Sequence, residues 1–338
     1  MHTNKKQYCF LIKKKEIVWS AKYFSFAILI AFFLSILVYS VMFLISEPAH
    51  VDEAIVVTAS AAVAKVEITA EYINPVWSVF IFNSIAVLIA VIGSSLFIYV
   101  HPIMIGEIEL RSRYLTYASI SIAMEKILMP FNKLLQRSLT FIDSDFPGIT
   151  TEKSNDSDSM WQYCGYEKSD YHKFAYMLPY TLPVMILLVN GFLLGILLAF
   201  FTFNGALTGF QIFGTKGILV GIIYNLAYFF ISIIPHGIIE LPAILLAAAL
   251  GYRFAFIQSH EVKNKELFLG DNIKEAKQDV TRILDITKEY LSSLYIWKML
   301  IIMISMLLVA SYIEINMTGN IAEKTMIALD HLVEKWIV

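Results

Sequence analysis

The sequence predicts an all-α, polytopic membrane protein, and three observations support that fold class. Of the 338 residues, 58% are hydrophobic and only 16% are charged, whereas a soluble domain usually carries about 25% charged residues. The mean hydropathy is +0.66. Several uncharged runs also reach the length of about 20 residues that a helix needs to cross a bilayer. This composition excludes an ordinary soluble enzyme, a disordered chain and a nucleic-acid-binding protein.

The membrane spans are expected where the uncharged runs lie, at 23–45, 76–100, about 183–204, 218–257 and 291–313. The 218–257 run is about twice as long as one crossing requires. The tripeptide Pro235-His236-Gly237 interrupts it, and proline removes a backbone donor from a helix. We therefore expect about five spans, with one helix broken at this tripeptide and one of its halves re-entrant, tilted or interfacial.

The distribution of lysine and arginine predicts the orientation, because cytoplasmic loops carry an excess of both. A five-span arrangement with a cytoplasmic N-terminus places 21 of these residues inside and 4 outside. A six-span arrangement, which puts the C-terminus inside, gives 16 and 9. The first distribution is the more asymmetric, so five spans in the cell membrane are favoured and six remain the alternative.

These spans divide the chain into five regions. They are a basic cytoplasmic arm (1–22), two spans with a short external helical loop at 46–74 (23–100), a cytoplasmic insertion (101–180), a transmembrane core with an amphipathic helix at 261–290 (181–313), and a C-terminal tail (314–338).

The insertion is expected to contain an amphipathic helix and a flexible loop. Within 109–142, apolar residues such as Ile120, Met124 and Ile127 recur at three- and four-residue steps among basic residues. Such a helix either lies on the membrane surface or packs on the protein's own spans or a second subunit. The segment 143–170 is acidic and lacks the glycine turn and terminal glutamate of an EF-hand loop, so a solvated loop is favoured over a calcium site.

The densest group of polar residues inside an apolar run lies around Pro235, His236, Gly237, Glu240 and Pro242. On a helical turn, His236 and Glu240 would share one face. Three interpretations remain open. The side chains satisfy backbone groups freed by the prolines, they handle protons or ions, or they belong to an intramembrane hydrolytic site, which is disfavoured because one His and one Glu are too few ligands for a metal.

Other polar or small residues in the spans are expected to serve helix packing. They are Asn83, Asn190, Gly191, Gly195, Asn225 and Glu314. Glycines four residues apart allow another helix to approach closely.

Catalytic motifs and cofactor sites are not expected. The sequence contains no P-loop, dinucleotide-binding glycine motif or common hydrolase motif, and each of these would be needed for a familiar chemistry. Two cysteines, Cys9 and Cys164, are too few for a disulfide framework or a four-ligand zinc site. The net charge of −2 gives no attraction to anionic partners. We therefore predict no enzyme, no catalytic residues, no cofactor, no metal and no nucleic-acid partner.

The stretch Pro-His-Gly-Ile-Ile-Glu-Leu-Pro-Ala at 235–243, followed by a small-residue helix that ends near Arg253, resembles the stage II sporulation protein M (SpoIIM-like) membrane family. Asn190-Gly191 with Gly195 is similar to the family's third-span Asn-Gly-x-x-x-Gly step, and Asn83 and Glu314 fit less specifically. The resemblance covers about 20–100 and 180–315. The insertion of roughly 80 residues between spans two and three departs from it.

The resemblance implies a non-enzymatic integral membrane protein of about five spans. In endospore formers the family's namesake acts as a scaffold for the cell-wall hydrolases SpoIID and SpoIIP. The hypothesis for this chain is therefore a scaffold that assembles partners at the membrane, with membrane lipids, other membrane or envelope proteins and a second copy in a homodimer as the expected partners. The alternative is a transporter or channel component with a polar site around His236 and Glu240.

Overall fold

A computed structural model describes residues 8–45, 72–139 and 159–337. All regular structure in these ranges is helical, and none of the described residues forms a strand. The helices are α1 (Lys14–Ile45), α2 (Pro75–Leu88), α3 (Ser94–Phe97), α4 (Val100–Arg113), α5 (Leu115–Leu139), α6 (Lys168–Met177), α7 (Thr181–Phe213), α8 (Gly217–Asn264), α9 (Ile273–Ser292), α10 (Leu294–Ile313) and α11 (Gly319–Ile337). Short turns supplement them: π-helical turns at Ile89–Gly93 and Glu314–Thr318, and 3₁₀ turns at Met160–Tyr163, Leu178–Tyr180 and Gly214–Lys216.

Four helical segments are long and apolar enough to cross a membrane, which confirms the all-α, polytopic fold class. They are Lys14–Ile45, Pro75–Arg113, Lys168–Asn264 and Leu294–Asp330. The third is 97 residues long and contains two long helices, α7 and α8. Five long apolar helices are therefore present among the described residues. Leucines and phenylalanines on their outer faces stay exposed, as expected for surfaces that face lipid tails.

Helices α7 and α8 form an antiparallel hairpin around a tight glycine turn. Gly214 has a φ of +66°, a backbone conformation that glycine adopts without steric cost. Behind the turn the two backbones touch: a Cβ on Gly209 would overlap the carbonyl oxygen of Gly217, and a Cβ on Gly205 would overlap that of Gly221. Glycine at each position permits this close approach.

Helix α8 is continuous from Gly217 to Asn264, with Pro235 and Pro242 inside it. The expected break at Pro235-His236-Gly237 is therefore wrong. Each proline removes one backbone donor, but the hydrogen bonds of the neighbouring turns hold the helix, and membrane helices tolerate proline for this reason.

The ends of several other predicted helices differ from the structure. The helical segment that contains the second span extends beyond 100 to Arg113 and includes the π-helical turn at Ile89–Gly93. The helix expected at 109–142 is two helices, because Tyr114 adopts an extended backbone (φ −128°, ψ 90°) between α4 and α5. The helix expected at 261–290 is also divided, since α8 ends at Asn264 and α9 starts at Ile273. Apolar periodicity records neither interruption, the one residue at Tyr114 nor the eight residues between α8 and α9.

The chain divides into two compact units. The described residues of unit 1 lie in 8–12, 90–139, 159–183 and 250–297. Its core contains the fully buried rings of Tyr171 and Phe268, whose centroids lie 5.1 Å apart. Part of the segment expected to be a flexible acidic loop belongs to this unit: Trp161 is buried and its indole N–H donates to the Gly270 carbonyl at 2.8 Å. The rest of that segment lies outside the described residues, as does most of the loop expected at 46–74.

The described residues of unit 2 lie in 13–45, 72–89, 184–249 and 298–337. Helix α7 packs closely on α1 in this unit, where a Cβ on Gly191 would lie 2.6 Å from the Cβ of Ala27 and a Cβ on Gly195 would overlap the Ile28 carbonyl oxygen. Phe24, Leu187 and Ala248 form a buried apolar cluster nearby. Unit 2 contains the polar side chains described next.

Candidate functional site

Unit 2 contains a cluster of ionisable side chains between apolar helices, and we call it the His-Glu-Glu cluster. It consists of His236 and Glu240 on α8 and Glu314 in the π-helical turn after α10. One nitrogen of the imidazole and one oxygen of each carboxylate lie within 4.8 Å of one another. All three residues are partly buried. The arrangement gathers three potential cation ligands from two parts of the chain.

The helix geometry explains why these side chains meet. Because α8 is continuous, His236 and Glu240, four residues apart, lie on the same face. Glu314 begins a π-helical turn, and such turns carry one extra residue and occur frequently at functional sites.

Two further side chains bind the cluster residues. The side-chain amide of Asn83, on α2, donates to Oε1 of Glu240 at 2.9 Å. The Thr318 hydroxyl donates to the Ile313 carbonyl oxygen at 3.2 Å and lies 3.4 Å from Nδ1 of His236. The tautomer of His236 decides which group donates in this contact. With the proton on Nδ1, the imidazole would donate to the Thr318 hydroxyl, and Nε2 would keep a free lone pair.

The charge of the cluster is not balanced by basic side chains. Among the described residues, no lysine or arginine forms an ion pair with Glu240 or Glu314. Two carboxylates close together in apolar surroundings cannot both stay charged without a large free-energy cost. The cluster is therefore suited to binding a cation or to holding protons.

A second candidate surface lies on α5, outside the long apolar segments. We call the side chains of Ile120, Met124 and Ile127 the α5 stripe; they are 62%, 61% and 78% exposed. The opposite side of the helix packs on the rest of unit 1. There Ala118 is buried, and Glu125 pairs with Arg111 at 2.6 Å. Over the residues whose side chains the structure describes, the expected amphipathic pattern is present and its apolar side is exposed at Ile120, Met124 and Ile127.

Comparison with known proteins finds a family match within the C-terminal half of the chain. The family model described as Stage II sporulation protein M matches residues 173–319. Residues 173–319 are SpoIIM-like. The resemblance drawn from the Pro-His-Gly stretch is thereby confirmed for this region, and the chain is a multi-pass membrane protein. No curated protein and no solved structure matches the chain. The SpoIIM-like family is not a known enzyme family.

The SpoIIM-like region contains all three members of the His-Glu-Glu cluster and Thr318, whereas Asn83 lies before it. Pro235, Gly237 and Pro242 shape the same stretch of α8 as regular helical residues.

Arg253 lies apart from the cluster although it belongs to the same sequence stretch. It is part of unit 1, and its guanidinium donates two hydrogen bonds to the Cys9 carbonyl oxygen at 2.8 and 3.1 Å. Asn190 and Asn225 also lie apart, since each side-chain amide donates to the carbonyl one turn earlier in its own helix, Ile186 and Gly221 respectively.

Glu314 is predicted from the sequence as a packing residue, and no sequence pattern marks Thr318 as a site residue. Glu314 was detectable as an ionisable residue at the end of an apolar run, which is costly in a membrane and therefore informative. Its position beside Glu240 was not detectable, because it depends on the π-helical turn and on the packing of α10 near α8.

Proposed function

We propose that this SpoIIM-like protein is a non-enzymatic membrane scaffold that assembles partner proteins at the membrane. The observation that carries the proposal is the α5 stripe, an uncovered apolar helix face outside the long apolar segments. The scaffold role itself is what the resemblance to stage II sporulation protein M implies; the matched residues 173–319 do not include α5.

The rest of α5 is held firmly, which suits a docking surface. The Arg111 guanidinium pairs with Glu125 of α5 and with Glu107 of α4, both at 2.6 Å. Glu125 also accepts the backbone N–H of Gly165 at 2.6 Å. A face whose orientation is fixed before binding loses less conformational entropy when a partner docks. The occupant we propose is an amphipathic helix of a partner protein, since a row of apolar residues at three- and four-residue steps matches that mode of recognition.

The proposal is tested by recovering partners from membranes after cross-linking. A variant with Ile120→Ser, Met124→Ser and Ile127→Ser should stay in the membrane and lose proteins that the unaltered chain recovers. The matched control carries Ser119→Asn and Lys126→Gln, exposed positions on an adjacent side of α5, and should recover them. Equal recovery by the stripe variant and the control would overturn the proposal.

Cysteine labelling distinguishes an α5 stripe that faces lipid from one that faces a partner protein. In a Cys9→Ser, Cys164→Ser background, Ile120→Cys should react with a maleimide in pure lipid vesicles and become protected in native membranes that contain partners. Protection in pure lipid vesicles would assign the stripe to the bilayer and contradict the scaffold proposal.

The His-Glu-Glu cluster favours a second candidate function, that of a transporter or channel component. Ionisable residues between membrane helices often mark ion pathways. A Glu240→Gln variant should then stay assembled and lose flux in reconstituted vesicles. Unchanged flux in a folded Glu240→Gln variant would exclude a role of this carboxylate in transport.

We also propose the cell membrane as the location, with the N-terminus in the cytoplasm. Membrane lipids, other envelope proteins and a second copy of the chain are the proposed partners. The excess of lysine and arginine in the segments expected inside supports this orientation.

A further inference from the structure

We propose that the His-Glu-Glu cluster is a binding site for one divalent transition-metal cation, with Zn²⁺ and Mn²⁺ as the representative ions. The ligands are Nε2 of His236 and carboxylate oxygens of Glu240 and Glu314. The inference goes beyond the scaffold function and does not depend on it.

The spacing of the ligand atoms fits a site that closes on an ion. One imidazole nitrogen of His236 and one carboxylate oxygen from each glutamate lie within 4.8 Å of one another, and metal–ligand bonds of about 2.0–2.2 Å place neighbouring tetrahedral ligands about 3.5 Å apart. Side-chain rotations that move each ligand atom by about 1 Å bridge the difference. The backbone positions of α8 and the π-helical turn need not change for this.

Charge is the second argument for a cation. Two carboxylates and a neutral imidazole carry a total charge of −2, and a divalent ion makes the set neutral. Neutrality matters here because the cluster lies between apolar helices and, among the described residues, no basic side chain forms an ion pair with Glu240 or Glu314. A monovalent cation would leave an uncompensated charge, which is expensive in such surroundings.

The hydrogen bonds around the cluster orient its ligands as those around metal sites do. Metal-binding histidines usually donate their other ring N–H to an oxygen, which fixes the tautomer. The Thr318 hydroxyl oxygen lies 3.4 Å from Nδ1 of His236 and is placed to accept that N–H when Nδ1 is protonated. Ligating carboxylates are usually hydrogen-bonded as well, and Asn83 donates to Glu240. Two independent contacts therefore prepare two of the three ligands.

The donor set selects the class of metal. Calcium takes six to eight oxygen ligands, and magnesium keeps several waters in an octahedral shell. Imidazole with carboxylates suits zinc, manganese or iron. Three protein ligands leave at least one position for water, so the site resembles an open rather than a closed structural one.

The consequence for the protein is a link between separate helices. The metal would join α8 to the turn that follows α10, and Asn83 would attach α2 to the same point. On α2, Asn83 lies roughly 12 Å from Pro75 along the helix axis. Binding should therefore stabilise the folded membrane core, since an ion that binds only the folded state raises the free energy of unfolding.

The test uses the full-length protein in detergent, stripped with a chelator and dialysed against Zn²⁺ or Mn²⁺. Elemental analysis should find about one ion per chain, and Tm should rise on adding either ion but not Ca²⁺ or Mg²⁺. His236→Gln and Glu240→Gln should lose this ion and the rise in Tm. Asn83→Ala and Thr318→Val should weaken binding about 10–100-fold, as outer-shell substitutions do.

The matched control is Asp285→Asn, an exposed carboxylate outside the cluster, which should bind like the unaltered chain. Co²⁺ provides a readout that does not depend on variants, because coordination by these ligands should give visible d–d bands that excess Zn²⁺ removes. The proposal is overturned if the stripped protein binds no stoichiometric ion, or if His236→Gln and Glu240→Gln variants bind as the control does.

Discussion

The Arg111 guanidinium in unit 1 contacts three acceptor groups. It is buried and pairs with Glu107 and Glu125 at 2.6 Å, and its guanidinium also lies 3.4 Å from the Tyr163 carbonyl oxygen. One cation thus compensates two carboxylates that are themselves largely shielded from solvent. This single residue connects α4, α5 and the turn at Met160–Tyr163.

Replacing Arg111 by methionine should destabilise unit 1 by about 3 kcal/mol, because it leaves two largely buried carboxylates without the cation that compensates their charge. Thermal unfolding in detergent, followed by circular dichroism, measures the effect. Arg113→Met is the control: Arg113 also pairs with a glutamate at i−4, Glu109, but its side chain is 65% exposed, so its loss should cost less than about 1 kcal/mol. Equal Tm values for the two variants would contradict the prediction.

The two cysteines should differ strongly in reactivity. Cys9 is exposed, whereas burial raises the pKa of the Cys164 thiol to about 12. Because the thiolate is the nucleophile, alkylation of Cys164 at pH 8 should be slow and should accelerate as the pH rises toward 12. A Cys9→Ser variant reports Cys164 alone, and Cys164→Ser reports Cys9 alone. Similar rates in the two variants at pH 8 would show that Cys164 is not shielded.

Sequence periodicity explains the proximity of two of the three residues of the His-Glu-Glu cluster. His236 and Glu240 are four residues apart, and helical geometry alone brings them together. Asn83 lies 157 residues before Glu240, and no local pattern links the two. The same holds for Glu314 and Thr318, whose positions depend on a π-helical turn that apolar spacing does not reveal. Ionisable residues in spans were therefore recognisable one by one, but not as a site.

At the scale of helices, the α7–α8 hairpin depends on glycines where the two backbones touch. Gly209→Ala should destabilise the protein by about 1–3 kcal/mol, since a Cβ would overlap the Gly217 carbonyl oxygen and the helices would have to separate. Gly106→Ala is the matched control, because no atom lies within 4 Å of a Cβ at that helical position. There alanine should be neutral or slightly stabilising. Thermal unfolding of the two variants in one detergent decides the matter, and equal effects would contradict the close contact.

The sequence predicts which segments form helices, but it does not predict where those helices end. Uncharged runs identify the long apolar helices because hydrocarbon excludes charge and requires every backbone group to be bonded internally. The expected break at Pro235-His236-Gly237 came from the effect of proline on helices in general, yet α8 continues through it. Conversely, Tyr114 separates α4 from α5, although nothing in its side chain marks a boundary.

For the whole molecule, the five-span arrangement predicts that the two ends of the described chain lie on opposite sides of the membrane. In a Cys164→Ser variant, Cys9 should react with a membrane-impermeant maleimide only after the cells are permeabilised. Asn316→Cys, introduced at an exposed position in a Cys9→Ser, Cys164→Ser background, should react in intact cells. Labelling of Asn316→Cys only after permeabilisation would favour the six-span alternative, and labelling of Cys9 in intact cells would contradict the proposed orientation.

The sequence does not predict which segments of the chain pack together to form unit 1. The insertion and the helix α9 were expected as independent amphipathic pieces, yet Lys277 of α9 pairs with Glu109 at 2.6 Å, and the Met160 N–H donates to the Asp271 carbonyl at 3.0 Å. Contacts between residues more than a hundred positions apart depend on tertiary packing, which hydropathy and charge counts do not encode.

The π-helical turn at Glu314–Thr318 contains one extra residue, and this residue sets which face of α11 points toward α8. Because such a turn contains one more residue than an α-helical turn, removing Met317 would restore regular α-helix and rotate everything downstream by about 100° about the axis. Asp330, which accepts a hydrogen bond from the Tyr224 hydroxyl at 2.8 Å, would then point away from α8. In genetic terms, a three-nucleotide deletion of the Met317 codon would uncouple α11 from α8 and leave the sequence of α10 and of every earlier helix unchanged.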